Sequence, residues 1–294
     1  MALLIATALL LGCNPQFAPP VRTSASSSAD SSGVMVAGDI AACDSAGDEA
    51  TAALLDELDG TILVPGDLAY PKGTAGDFVR CYDASWGRHK DRTFPVPGNH
   101  EYETDGAAGY FDYWADGVGD PAEGWYAFDL GEWRIIGLNS NCDEIGGCGA
   151  QSPQGAWLTE ELEATQRACT LAYWHHPRWS SGAEHGSSAA TDAFWRILHD
   201  AGADLVMTAH DHQYERFQPM DETGAADPEG MVEFVVGTGG KSLYEFAEIL
   251  ATSAVHDAST YGDLRLTLRA DSYDWEFVAV SDSPFEDSGT ASCR

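Results

Sequence analysis

The chain has 294 residues, 44% hydrophobic and 11% aromatic, which is enough for a sizeable core and inconsistent with global disorder. Its 47 acidic against 15 basic residues leave a net charge of −32, which argues against nucleic acid and anionic lipid surfaces as partners. The same field repels a phosphate-bearing ligand unless bound cations reverse its sign locally.

In chain order, the apolar run Ala2 to Gly12 is too short to span a bilayer but suits the core of a signal peptide. It ends in Leu11-Gly12-Cys13, which resembles the cleavage box of bacterial lipoproteins, although no Lys or Arg precedes the run. The expectation is a signal peptide over residues 1–12 and a lipid-modified Cys13, hence a periplasmic or cell-surface location. Ordinary secretion is the alternative, and the lipid at Cys13 is the one expected membrane contact. Residues 13–33 are rich in Ser, Ala and Pro and read as a tether. One domain is expected over 34–285, followed by a tail over 286–294.

Within that domain, short apolar runs alternate with helical patterns, which predicts an α/β layer structure. Val34 to Val36 leads into Gly38-Asp39, and a helix is predicted over Glu49 to Leu58. Thr61 to Val64 leads into Gly66-Asp67, and Phe94 to Pro97 leads into Gly98-Asn99-His100. Prolines in the third run predict an edge strand or a stiff approach loop. A hairpin over Trp125 to Asn139 turns at Leu130-Gly131-Glu132. A helix over Gln154 to Arg167 precedes the run Leu171 to Trp174, which ends in His175-His176. A helix over Thr191 to His199 precedes Asp204 to Met207, which runs into His210-Asp211-His212. Alternating stretches at Val232 to Val236, Leu264 to Leu268 and Trp275 to Val280 predict antiparallel strands.

Outside Cys13, six cysteines remain, suiting three disulfides in an oxidising compartment and allowing 15 connectivities. Cys142 with Cys148 is the best local pair; Cys43 with Cys81 and Cys169 with Cys293 would complete one set among several.

Five apolar runs end in residues able to ligate a metal, and ligands of α/β sheets bind beyond the carboxyl ends of strands. Asp39, Asp67, Asn99-His100, His175 and His210/His212 are therefore expected to converge. Each pattern alone is an ordinary turn or loop; five together are not. Carboxylate, phenol, amide oxygen and imidazole supply mixed ligands for two cations, and a carboxylate can bridge such a pair. His210 and His212, two apart, would share one side of extended backbone. Asp67 and Tyr70 sit in one turn, and a phenolate favours a strongly Lewis-acidic ion.

These motifs — Gly38-Asp39-Ile40-Ala41, Gly66-Asp67-Leu68-Ala69-Tyr70, Gly98-Asn99-His100-Glu101, Trp174-His175-His176-Pro177 and Ala209-His210-Asp211-His212 — resemble those of the calcineurin-like metallophosphoesterases, within them the purple acid phosphatase type. The resemblance implies a single-domain, four-layer α-β-β-α sandwich in a compact bacterial form. It implies a first metal on Asp39, Asp67, Tyr70 and His212, and a second on Asn99, His175 and His210, bridged by Asp67. The implied ions are Fe(III) and a divalent Fe, Zn or Mn. His100 would contact phosphate and protonate the leaving group, and His185 would be a second substrate-facing histidine. Ala209 departs from the usual Gly. The implied reaction is hydrolysis of a small phosphate monoester by a metal-activated water. A phosphodiesterase or nucleotidase on the same core is the alternative enzyme, and a non-catalytic surface lipoprotein the alternative class. Arg178 is expected to make a surface ion pair.

Overall fold

The structure, a computed structural model, describes residues 31–294 except 122, 281 and 282. The leader over 1–12 and the lipidation site Cys13 lie outside the described residues, as does most of the tether.

Two sheets face each other. The first has the order β13-β12-β11-β1-β2-β3 and the second β10-β8-β9-β7-β6-β5-β4. In the first, β1 (Ser32–Val36), β2 (Thr61–Pro65) and β3 (Thr93–Val96) run parallel, and β11 (Gly262–Leu268), β12 (Ser272–Ala279) and β13 (Ser288–Ser292) add antiparallel strands. β3, which carries Pro95, is at the edge, as its prolines predict. The strand β1 begins at Ser32, two residues inside the expected tether. The expected tail over 286–294 is corrected: its polar, alternating residues form β13, because a half-exposed edge strand needs no apolar run.

In the second sheet, β5 (Trp133–Gly137), β6 (Cys169–Tyr173), β7 (Leu205–Thr208) and β9 (Val232–Val236) run parallel. The sheet is completed by β4 (Tyr126–Leu130), the hairpin partner of β5, and by β8 (Tyr214–Phe217) and β10 (Ser253–Asp257). The strand β9 is thus parallel to β7 on one side and antiparallel to β8 on the other, where a purely antiparallel strand was expected.

The strand sequences explain the layers. Successive residues of a strand point to opposite faces. Ile135, Leu171, Tyr173, Leu205, Met207, Phe234 and Val236 enter the core between the sheets, together with Val34, Val36, Leu264 and Leu266. Ile136, Ala172, Val206 and Val235 face the other way, into a second core with Leu158, Phe194, Trp195 and Leu198 of α4 (Pro153–Ala164) and α5 (Asp192–Asp200). Both faces of these strands are covered, so their sequences read as unbroken apolar runs. On the outer side of the first sheet, α1 (Gly47–Asp56) packs against β11. The short helices α2 (Ala75–Asp77) and α3 (Ala108–Trp114) lie in the connections flanking β3. α4 starts where its sequence says it should: the Ser152 side chain accepts from the Gly155 N–H, and Pro153 occupies the first turn.

Three disulfides join Cys43 to Cys81, Cys142 to Cys148 and Cys169 to Cys293. The last one ties the start of β6 in the second sheet to the end of the chain beyond β13 in the first. Among the described residues, no helix is long and apolar enough to cross a membrane.

Candidate metal centre

The carboxyl ends of β1, β2 and β3 meet those of β6 and β7 across the gap between the sheets. The turns there hold three residues in the left-handed region, which non-glycine residues seldom adopt: Asp39 at φ 57°, Asp67 at φ 54° and His210 at φ 70°. Each follows a Gly or Ala that lets neighbouring turns approach closely. A side chain on Gly98 would put its Cβ 2.1 Å from Asp67 Oδ1. At Gly38 the obstacle would be the Cβ of Ala209, at 2.6 Å; the methyl of Ala209 is accommodated by the missing one on Gly38.

All seven expected ligands come together. Tyr70 Oη lies 2.9 Å from Asp39 Oδ1, 3.0 Å from Asp67 Oδ2 and 3.2 Å from His212 Nε2, and His212 Nε2 lies 3.3 Å from Asp39 Oδ1. On the other side, His175 Nε2 is 3.4 Å from Asp67 Oδ2, 3.0 Å from Asn99 Oδ1 and 3.0 Å from His210 Nδ1. Two donor groups therefore share one oxygen, Asp67 Oδ2. Atoms bound to a common cation at about 2.0–2.2 Å stand roughly 2.9–3.5 Å apart, so both groups have the spacing of ligand sets. One expectation is corrected here: His210 is left-handed rather than extended, so it and His212 do not share one side of an extended strand. The grouping is the one the resemblance implies, with His210 beside His175 and His212 beside Asp39 and Tyr70.

Hydrogen bonds decide which nitrogens are available. His175 Nδ1 faces the Pro65 carbonyl at 2.9 Å and His212 Nδ1 faces the Ser242 carbonyl at 2.6 Å. A carbonyl only accepts, so each Nδ1 carries a hydrogen, and each Nε2 presents its lone pair to a carboxylate unless a further proton or a cation intervenes. Without a metal, protons fill that role. Burial disfavours a charged His175, yet the Asp67 carboxylate pushes its pKa up to about 9. Against the effect of burial, His175, His100 and His210 together hold Asp67 well below the usual carboxylate range. Burial, and then the positive rings nearby, push His210 far down and hold His176 at about 3. Burial and the Asp39 and Asp67 carboxylates raise the Tyr70 phenol well above its ordinary value, so a cation must displace that proton.

His100 stands beside this cluster, a third exposed, with Nδ1 2.6 Å from the Pro71 carbonyl and Nε2 3.8 Å from Asp67 Oδ2. The exposed ring of His185 stacks on His210 with centroids 3.9 Å apart. Arg178 pairs with Asp192 at 2.9 Å and covers the Trp179 ring; the expected ion pair forms, but with the Arg178 side chain largely buried rather than on the open surface.

Three contributors had no role in the sequence reading. Glu101, fully buried, accepts from the N–H groups of Asp67, Leu68, Ala69 and Gly98 and so fixes the loops that carry Asp67 and Asn99. His176 lies with His175 and His210 in a three-histidine group. Tyr244 stacks on His212, with centroids 3.9 Å apart. Glu101 had a signal, its place in Gly98-Asn99-His100-Glu101; Tyr244, far along the chain, had none.

Among curated proteins, the chain is 28% identical over 218 residues to purple acid phosphatase 15 of Arabidopsis thaliana, covering 61% of this chain and 40% of that one. It is 26% identical over 216 residues to purple acid phosphatase 18 of the same plant, covering 65% and 46%. The chain thus spans less than half the length of these relatives. Among solved structures, a purple acid phosphatase from yellow lupin seeds superposes with a TM-score of 0.71 at 18% identity, over 89% of this chain and 54% of that one. GAP50, the anchor in the inner membrane complex of Plasmodium, superposes with a TM-score of 0.69 at 17% identity, over 90% of each chain. The family model described as calcineurin-like phosphoesterase matches residues 33–214. That stretch runs from β1 past His212 and contains every strand-end ligand, and on this match the chain belongs to the calcineurin-like phosphoesterase family.

Proposed function

We propose that the protein hydrolyses phosphate monoesters at a two-cation centre. Asp39, Tyr70 and His212 would hold one ion, Asn99, His175 and His210 the other, and Asp67 both. The observation that carries this reading is the shared vertex: Asp67 Oδ2 is 3.0 Å from Tyr70 Oη and 3.4 Å from His175 Nε2. The phenol and carboxylates suit a hard, strongly Lewis-acidic ion such as Fe(III); the amide oxygen and two imidazoles suit a divalent iron, zinc or manganese. Such a pair supplies a water acidified toward neutrality and positive charge opposite the phosphate oxygens.

The side chains around the ions divide the remaining work. The Pro71 carbonyl fixes the hydrogen of His100 on Nδ1, which leaves Nε2 as the position from which a proton can pass to the departing alkoxide. To act as that acid, His100 must carry a proton on Nε2 as well as on Nδ1. His185, exposed and stacked on His210, is available to contact phosphate. Three disulfides support export to an oxidising compartment; anchoring at Cys13 rests on the sequence alone.

The likeness to GAP50 favours a second reading, because the fold is compatible with an anchoring role and fold alone does not make an enzyme. The complete donor set argues for catalysis. The test uses the full chain with nitrophenyl phosphate and bis(nitrophenyl) phosphate, beside Asp67→Asn. Expected are preference for the monoester, visible charge-transfer colour from Tyr70, and a loss of activity beyond about a hundredfold in the variant. Preference for the diester would make the protein a phosphodiesterase. Turnover of neither ester with any added metal would leave the anchoring reading.

A further inference from the structure

A cavity of about 400 Å³ opens directly off the second donor group, with Asn99 and His176 in its wall. Its lining includes the buried Asn141, whose Nδ2 donates to the Pro97 carbonyl at 3.1 Å and to Asn139 Oδ1 at 3.0 Å. One side is the small ring closed by the Cys142–Cys148 disulfide, which carries the exposed Asp143 and Glu144. Glu103 lines the cavity too but is engaged by Lys72 at 3.7 Å. Asp143 and Glu144 have no ion-pair partner among the described residues, and none of the lining residues is Lys or Arg.

The other flank of the centre is different. A cavity of about 350 Å³ beside Tyr70 is lined by Lys241 and Arg80 together with Asp44 and Asp77, and Asp77 pairs with Arg80 at 2.8 Å. Lys241 Nζ stands 5.2 Å from the centre of the Tyr70 ring. The first cavity is therefore acidic, whereas in the second the two cations are balanced by two carboxylates.

We propose that the cavity beside Asn99 and His176 receives the alcohol portion of the substrate and selects neutral or cationic alcohols, amino alcohols above all, against anionic ones. This inference rests on the phosphoesterase reading above. In the hydrolysis, a bond from phosphorus to a water oxygen replaces the ester P–O bond. The departing alkoxide takes a proton and is released as the free alcohol into this cavity. A size of about 400 Å³ fits a small polar alcohol rather than a macromolecule. Carboxylates within several ångströms of the alcohol's own charge change its affinity by about three- to tenfold each.

The test compares 2-aminoethyl, 2-hydroxyethyl and 2-carboxyethyl phosphate, which differ in charge at nearly constant size. For the metal-loaded full-length protein, kcat/KM should fall in that order. Binding of the corresponding non-hydrolysable phosphonates, followed by calorimetry, should rank the same way. The double variant Asp143→Lys, Glu144→Lys should compress or invert the order by about tenfold or more. Glu57→Lys with Glu160→Lys, the same change in net charge, is the control for the charge of the whole molecule. Both residues are exposed and neither lines the cavity. An equal effect of the control would assign the preference to the overall field and overturn the inference. Lys241→Gln shifting the order, with the double variant silent, would place the alcohol in the other cavity and overturn it equally. Equal turnover of all three esters would do the same while leaving the phosphoesterase reading intact. Turnover of none, with no phosphonate bound, would remove both.

Discussion

Glu101 at the metal end and Asp263 on the outer side of the first sheet are both completely buried carboxyl groups, and they are solved in opposite ways. Glu101 accepts four backbone N–H groups at 2.8–3.3 Å. Asp263, on β11 out of phase with Leu264, Leu266 and Leu268, has no partner for either oxygen among the described residues. Burial pushes the pKa of both up. Glu101 reaches about 7, with the Asp67 charge adding to burial and the N–H groups of Gly98 and Ala69 opposing it. Asp263 is driven well above the carboxylate range by burial alone. The contrast shows that a buried carboxylate organises backbone only where donors converge on it; without donors, burial penalises its charged form and the group weakens the fold.

The change with the largest expected effect removes the organised carboxylate. Glu101→Leu leaves four N–H groups buried and unpartnered, each worth about 1–3 kcal/mol. Denaturant unfolding should show a loss of at least about 4 kcal/mol, and the purified protein should not retain two ions. A Glu101→Leu protein of normal stability and metal content would mean that the loops of Asp67 and Asn99 hold themselves. Glu101→Gln keeps the shape but turns a donor toward two N–H groups. Metal titration should show affinity weakened by about ten- to a hundredfold, with a smaller change in stability.

The opposite sign is expected at the other carboxyl. Asp263→Val suits a strand and removes an unsatisfied acid, so it should stabilise by about 1–3 kcal/mol at alkaline pH. The smallest effect is in the pH dependence. A carboxyl whose folded pKa is raised contributes stability that is complete below its ordinary value of 3.8 and is lost as pH rises toward the folded value. Asp263→Asn has no such titration. Its melting temperature should gain on wild type as pH rises from about 5 to about 9, and a constant difference would show that Asp263 does not titrate in the fold.

The candidate ligands were legible in the sequence because they follow strands buried on both faces, whose apolar runs stop just before them: Val34 to Val36 before Asp39, Leu205 to Met207 before His210. The pairing Cys142–Cys148 was legible from its short spacing. The edge strands β10 and β13 were not, since Ser253–Asp257 and Ser288–Ser292 are half exposed and carry no apolar period. Nor was the left-handed backbone of Asp39, Asp67 and His210, which is imposed by the packing of turns from both sheets. The role of Glu101 was hidden for a related reason: its four partners lie on two separate turns, brought together only by the sheet.

The Cys169–Cys293 bridge has a mechanical consequence for the ions. It sits at the start of β6, and His175 lies beyond the far end of that strand, whose five residues span about 17 Å. Beyond the core between them, the two sheets are held at opposite ends, by a covalent bolt at one and, in the proposed function, by shared ligation at the other. Withdrawing the ions releases a single latch, while the bolt, closing a span of 124 residues, retains about 5 kcal/mol of constraint on the unfolded chain. Chelation should therefore leave the sheets still bolted at their base and ready to be reloaded, whereas a reductant and a chelator together would leave only the buried core to hold them.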